Sequence, residues 1–110
     1  MRNSEEINKL IKLLGKTDIP FAVRTITVLL QSSIQVCFPD VEHCVVDAVS
    51  HNLSYGGPEG LIEVYATDDY SRITDNDAIG WLTAEQAFGY FEKANRLKKI
   101  LEDEKAKNTI

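Results

Sequence analysis

Residues 21–66 form a block of Val, Ile, Thr, Phe and Tyr, set between two segments with helical periodicity. These residue types suit a pleated, half-buried surface better than a helix. Within the block, short runs alternate apolar and polar side chains. The pattern predicts one strand over 22–30 and a second over 33–38, separated by the polar residues Gln31, Ser32 and Ser33. Ile34, Val36 and Phe38 alternate with Gln35 and Cys37, as in a strand with one buried face. "PDVEH" from Pro39 turns the chain into a third strand near 44–55, and a fourth follows over 61–66. "GGPEG" lies between these last two and suits a glycine-assisted hairpin turn. Val49, Leu53 and Tyr55 are then predicted to share a face, as are Ile62, Val64 and Ala66. The glycines do not make a phosphate loop. Such a loop ends in Gly-Lys-Ser/Thr and opens a helix, whereas Gly60 and Leu61 open a strand.

Residues 3–15 carry Ile7, Leu10, Ile11 and Leu14 on one helical stripe. Asn3 with Glu6 has capping-box spacing, with Ser4 as an alternative cap, and Gly15 stands where a left-handed C-cap is expected. After an acidic, polar loop over 67–80, Thr83 and Gln86 form a second capping box. Behind it Ala87, Phe91, Ala94, Leu97 and Leu101 run down one side of a long helix, flanked by Phe88, Tyr90 and Ile100. The charged residues 103–110 are expected to fray. The reading is a single α+β domain over 1–110. It has an N-terminal helix, an antiparallel three- to four-stranded meander and a long C-terminal helix packed on the sheet, because alternating strands need an apolar partner layer. Residues 45–49 are apolar on both sides, which predicts cover on both faces, from the second helix or another subunit.

The charge balance limits the partners. Twelve Lys and Arg stand against 17 Asp and Glu, a formal −5, which opposes phosphate backbones and anionic lipid, so no nucleic acid is expected. Arg24, Lys93, Arg96, Lys98 and Lys99 are interrupted by Glu92 and Glu102 and read as a solvated face. No membrane span is expected either: the most apolar run, "FAVRTITVLL", is broken by Arg24, Thr25 and Thr27. The N-terminus turns polar where a signal peptide would be apolar. Two cysteines are too few for a secreted disulfide scaffold. A cytoplasmic protein with reduced thiols is the expectation.

The candidate chemical sites are weak on geometry. Cys37, His43, Cys44 and His51 are zinc-type residues within a short span, but their spacing matches no standard zinc motif. Neighbours on a strand, such as His43 and Cys44, face opposite ways. A zinc-binding module is therefore an alternative only, and buried thiols with surface histidines the simpler reading; no metal and no cofactor are expected. Residues 75–80 start like a calcium loop, yet Ile79 and Gln86 stand where ligands are required. Asp47, Ser50, His51 and Ser54 do not make a triad, because strand positions 47 and 51 lie about 13 Å apart at about 3.3 Å per residue. Glu59 and Glu63 fail similarly as an acid–base pair, and Cys37 has no cation to activate it. The chain is thus not expected to be an enzyme. A pocket between sheet and final helix around His51, Tyr55 and Glu63 is a further alternative, for a small ligand or substrate.

Aromatic residues remain: Tyr55, Tyr65, Tyr70, Trp81, Phe88, Tyr90 and Phe91 crowd the second half of the chain. Most should be core, with Trp81 anchoring the preceding loop there. Surplus rings among Tyr55, Tyr65, Trp81 and Tyr90 are the candidate protein-interaction surface, since Tyr and Trp are enriched at interfaces. The expected partner is a protein, possible self-association included.

The stretch "DAVSHNLSYGGPEGLIEVY" followed by "AIGWLTAEQAF" resembles small uncharacterised phage and prophage-type proteins of Gram-positive bacteria. In these a "SYG…GL(L/I)E" hairpin precedes a "GWLTAEE(V/A)F" helix. The similarity spans about 47–91 and brings no catalytic residue. It implies an accessory protein of a mobile element in the bacterial cytoplasm.

Overall fold

A computed structural model describes residues 5–107. Its elements are α1 (Glu5–Gly15), β1 (Ala22–Val28), β2 (Gln31–Phe38), β3 (Val46–Val49), β4 (Ile62–Ala66), β5 (Ile79–Leu82) and α2 (Ala84–Lys107). All five strands form one antiparallel sheet in the order β1-β2-β3-β4-β5. The α+β meander between two helices is as expected, with one strand more than the three or four predicted. Residues 79–82 lay at the end of the presumed loop and its entry to the helix. Four residues, one of them Gly80, give too little alternation to announce a strand. Pairing with β4 makes it one, through Ile62 with Leu82 and Val64 with Ile79 across a bulge.

Val36, Phe38, Val46, Ala48, Ile62, Val64 and Ala66 are buried on one sheet face, where they meet Ala87, Phe91 and Ala94 of α2. The predicted helical stripe supplies these contacts. Phe38 packs edge-on against Phe91 at 6.5 Å and against Tyr70 at 6.0 Å. Helix α1 lies along α2 and adds Ile7, Leu10 and Leu14 to the same core. The helices cover the Val46 and Ala48 side of β3; on the other side Asp47 is half-buried and Val49 is buried, so that face is partly covered too, as expected.

The start of α2 is held twice. Gln86 N–H donates to Thr83 Oγ1 at 3.3 Å, and Thr83 N–H donates to Gln86 Oε1 at 2.9 Å, which is the predicted capping box. A second cap comes from across the core: Ala84 N–H donates to Glu6 Oε1 at 2.8 Å. A carboxylate at a helix N-terminus contributes about 0.3–1 kcal/mol. Glu6 therefore caps α2; Asn3 and Ser4, the local partners expected for it, lie outside the described residues. Helical backbone continues through 103–107, the stretch expected to fray, and 108–110 are not among the described residues.

Two boundaries differ from the pattern-based reading. The first hairpin turns at Leu29 and Leu30, not at 31–33, because Val28 pairs with Gln31. Both leucines are left-handed, with φ of 51° and 65°; this two-residue turn normally carries Asn-Gly, so leucines give no local signal for it. Strand β3 ends at Val49 instead of continuing to 55. There His51 N–H donates to Ser54 Oγ at 2.9 Å, and the Ser54 hydroxyl donates to His51 O at 2.8 Å. These local bonds compete with the sheet ladder and fold the chain back. Leu53 and Tyr55 consequently leave the face they were expected to share with Val49.

Candidate interaction surface

The loop over 50–61 is built by glycine. Gly56 and Gly60 have φ of 85° and 79°, on either side of a short 3-10 turn, Gly57–Glu59. Leu61 N–H donates to Gly56 O at 2.9 Å and Gly60 N–H to Gly57 O at 2.8 Å. Gly57 is so closely packed that a Cβ there would overlap the carbonyl oxygen of His51 and Oγ of Ser54.

The loop then lies on the outer strand. Trp81 N–H donates to Tyr55 O at 3.1 Å, and Gly80 leaves room for Tyr55 Cβ, which a side chain there would strike. Trp81 itself is left-handed, φ 60°. That conformation costs a bulky residue about 1–3 kcal/mol and persists only where its surroundings enforce it. The outcome is two large rings held outward, Tyr55 56% and Trp81 59% exposed. Trp81 therefore does not anchor the loop on the core, as the sequence suggested; its backbone does the anchoring.

Tyr65, 45% exposed, joins them through β4. It pairs with Asp47 and follows Glu63 on the sheet face turned away from the helices. The amide of Tyr55 faces the Glu63 carboxylate. Tyr55, Tyr65 and Trp81 thus come into one region. Tyr90 does not: it is half-buried on α2, packed against the core, with Lys93 Nζ 5.2 Å from its ring centre.

The face beside these rings is acidic. Burial pushes the Glu63 carboxyl above the usual carboxylate range, the Tyr55 amide opposes this, and Asp47 and Asp77 add to the rise. Asp47 is also raised by burial, against the hydrogen bond from Gln35 and the charges of Arg24 and His51. Gln35 Nε2 donates to Asp47 Oδ2 at 2.7 Å, while Arg24 Nε donates to Gln35 Oε1, so one hydrogen-bonded chain crosses three strands.

The raised Asp47 sets a pH dependence. The folded chain keeps this proton to higher pH than the unfolded chain does. Stability therefore falls as pH rises from below the unfolded carboxylate value through the folded one. Asp47→Asn keeps an acceptor for Gln35 and carries no charge, so its stability should not show this part of the decline. Urea titrations of both proteins from acid to neutral pH check the point. Parallel profiles would mean that the buried charge is of no consequence.

The zinc-type residues are not assembled. Cys37 is buried beside Cys44, whose thiol donates to Val46 O at 3.6 Å. Burial first, and then Cys37, push the Cys44 thiol far up, so it stays protonated and is a poor thiolate ligand or nucleophile. His43 is exposed, 3.3 Å from Asp40. His51 Nδ1 accepts the Leu53 N–H at 3.1 Å. Among the described residues, no three His, Cys, Asp or Glu side chains converge on a position that could hold a metal ion.

His51, Tyr55 and Glu63 do not line a pocket beneath α2. Glu63 projects from the opposite sheet face, and the space under the helix is filled by Phe38, Val64 and Phe91. An open groove of about 480 Å³ does exist beside α2, lined by Asp69, Tyr70, Lys98, Leu101, Glu102, Glu104 and Lys105. It has none of the three. Among the described residues no helix is long and apolar enough to cross a membrane. Three of the four rings expected to form an interaction surface, Tyr55, Tyr65 and Trp81, thus fall in one region, and their acidic border of Glu63 and Asp47 was not anticipated from the sequence. The alternation of β3 and β4 held that signal, since both carboxylates sit between core residues. Comparison of the chain with protein-family models, with curated proteins and with solved structures returned no match.

Proposed function

We propose that this chain is a non-enzymatic protein-binding module, an accessory protein of phage or prophage type working in the bacterial cytoplasm. Its partner docks on Tyr55, Tyr65 and Trp81. One observation carries the reading: Trp81 is held in a left-handed backbone against Tyr55, and both rings face solvent. Neither the backbone nor the rings gain from that arrangement in the isolated chain. Burial against a partner would repay both, and exposed Trp and Tyr are the side chains that most often dominate interface energies. Asp47, Glu63 and Asp77 give the same region a negative border, which suits a partner presenting basic residues around an apolar centre.

Affinity capture from host lysate tests the proposal, using the wild type, Tyr55→Ala/Trp81→Ala and a tag-only control. The wild type should recover a specific partner at near-stoichiometric yield. The double variant, its fold verified by circular dichroism, should lose it, since each such ring contributes about 2 kcal/mol or more when it is a hot spot. Equal recovery by both proteins, or recovery of the bait alone, would overturn the reading.

A further inference from the structure

The two sheet edges are treated differently. β5 is four residues long, bulged, and closed by the loop through the bond from Trp81 N–H to Tyr55 O. β1 is seven residues long, pairs with β2 in unbroken register, and has no partner on its other side among the described residues. Helix α2 crosses β3, β4 and β5 and reaches Phe38 of β2, whereas the extensive packing of β1 is on β2 alone. Proteins usually blunt such an edge with charge, proline or a bulge. The strand "AVRTITV" has no proline and no bulge, and its one charge, Arg24, is engaged by Gln35.

The end of this hairpin is equally unprotected. Leu29 and Leu30 are 65% and 99% exposed, and both are left-handed. Asn-Gly would satisfy the turn and the solvent better. Leucine at both positions is costly unless something apolar covers it.

The strand's own sequence supplies a partner. A two-fold antiparallel pairing of β1 with itself about Thr25 places Ala22 opposite Val28, Val23 opposite Thr27 and Arg24 opposite Ile26. Every pair joins residues from the same face of the sheet, so both copies keep their helices on one side. The two arginines do not meet. Continued outward, the same register carries Leu29 and Leu30 beside Phe21 and Pro20 of the second copy, apolar residues that are each half-buried. Exposed edge and exposed tip thus find complements in one arrangement.

We propose that two copies of the chain associate through β1, joining their sheets into one continuous sheet about a two-fold axis. The tip of each hairpin rests on Phe21 and Pro20 of the other. This does not depend on the aromatic surface, which lies toward β4 and β5. The interface is isologous, the commonest form of soluble oligomer.

Light-scattering mass of the full chain over a concentration series, with three variants, tests this. The wild type should reach twice the chain mass of 12.3 kDa. Ile26→Lys sets a second cation opposite Arg24 at two symmetric places and should raise the dissociation constant about tenfold or more. Adding Arg24→Glu to that variant creates opposite charges at the same places and should restore the dimer, which a merely misfolded Ile26→Lys could not do. Leu29→Asn/Leu30→Gly should give a monomer that is still folded by circular dichroism, since the new residues suit the turn. A wild type that stays monomeric at the highest concentration would overturn the proposal. So would a dimer unaffected by both Ile26→Lys and the tip variant.

Discussion

Replacing Phe91 with alanine is expected to remove about 3–5 kcal/mol of folding free energy. A domain of this size has only about 5–15 kcal/mol in total, so no other single truncation should matter more. Phe91 is fully buried and its ring stands edge-on to Phe38 where α2 crosses the sheet. Deleting it opens a cavity between layers that cannot close, because the backbone of α2 is fixed by Thr83, Gln86 and Glu6 at one end. Urea titration followed by far-ultraviolet circular dichroism should show a lower midpoint with an unchanged slope. Exposed Ile100, truncated in the same way, should change stability by no more than about 0.5 kcal/mol. A loss from Phe91→Ala as small as that would mean that α2 does not pack on the sheet through this ring.

Gly57→Ala should have the largest effect on the interaction surface, and cost about 1–3 kcal/mol by overpacking. Its new Cβ would meet the carbonyl oxygen of His51, a backbone atom that no rotamer change can move aside, together with Oγ of Ser54. The hydrogen bonds linking His51 and Ser54 must then shift, and Tyr55 with them. Because Tyr55 O accepts from Trp81 N–H, the disturbance reaches the indole. Trp81 is the only tryptophan, so its fluorescence reports directly on the surface. The expected result is a lower unfolding midpoint together with a changed emission in the folded state. Gly89→Ala is the control: nothing lies within 4 Å of a Cβ there, and alanine in mid-helix should add about 0.5–1 kcal/mol. If Gly57→Ala matches the control in both readouts, the loop is not the rigid support described above.

These two positions differ in how far the sequence announces them. Phe91 stands on a stripe with Ala87 and Ala94, and the helical period alone predicts its burial. Gly57 looks like any residue of a glycine-rich turn. Its close fit comes from Ser54 folding back on His51, which no pattern of apolar residues encodes. The aromatic residues divide in the same way. Tyr55, Tyr65, Trp81 and Tyr90 are equivalent candidates in the sequence, and only packing separates the three that cluster from the one that lies on α2. Trp81 in a left-handed conformation is not something residue preferences would suggest. The pressure comes from the loop against which its backbone is bonded.

By itself the sequence determined the helices, their buried stripes, the Thr83 and Gln86 cap, and the core face of β2 and β4. Those features depend on period and on neighbours within a few residues, which the chain carries locally. Tertiary structure alone decided that 79–82 is a strand, that Leu29 and Leu30 make the turn, that β3 stops at Val49 and that Glu6 caps the distant α2. Each of these is set by a partner remote in the chain or by a local bond that outcompetes propensity. Periodicity records which side of an element is apolar, and the identity of the atoms that meet it is a property of the assembled fold.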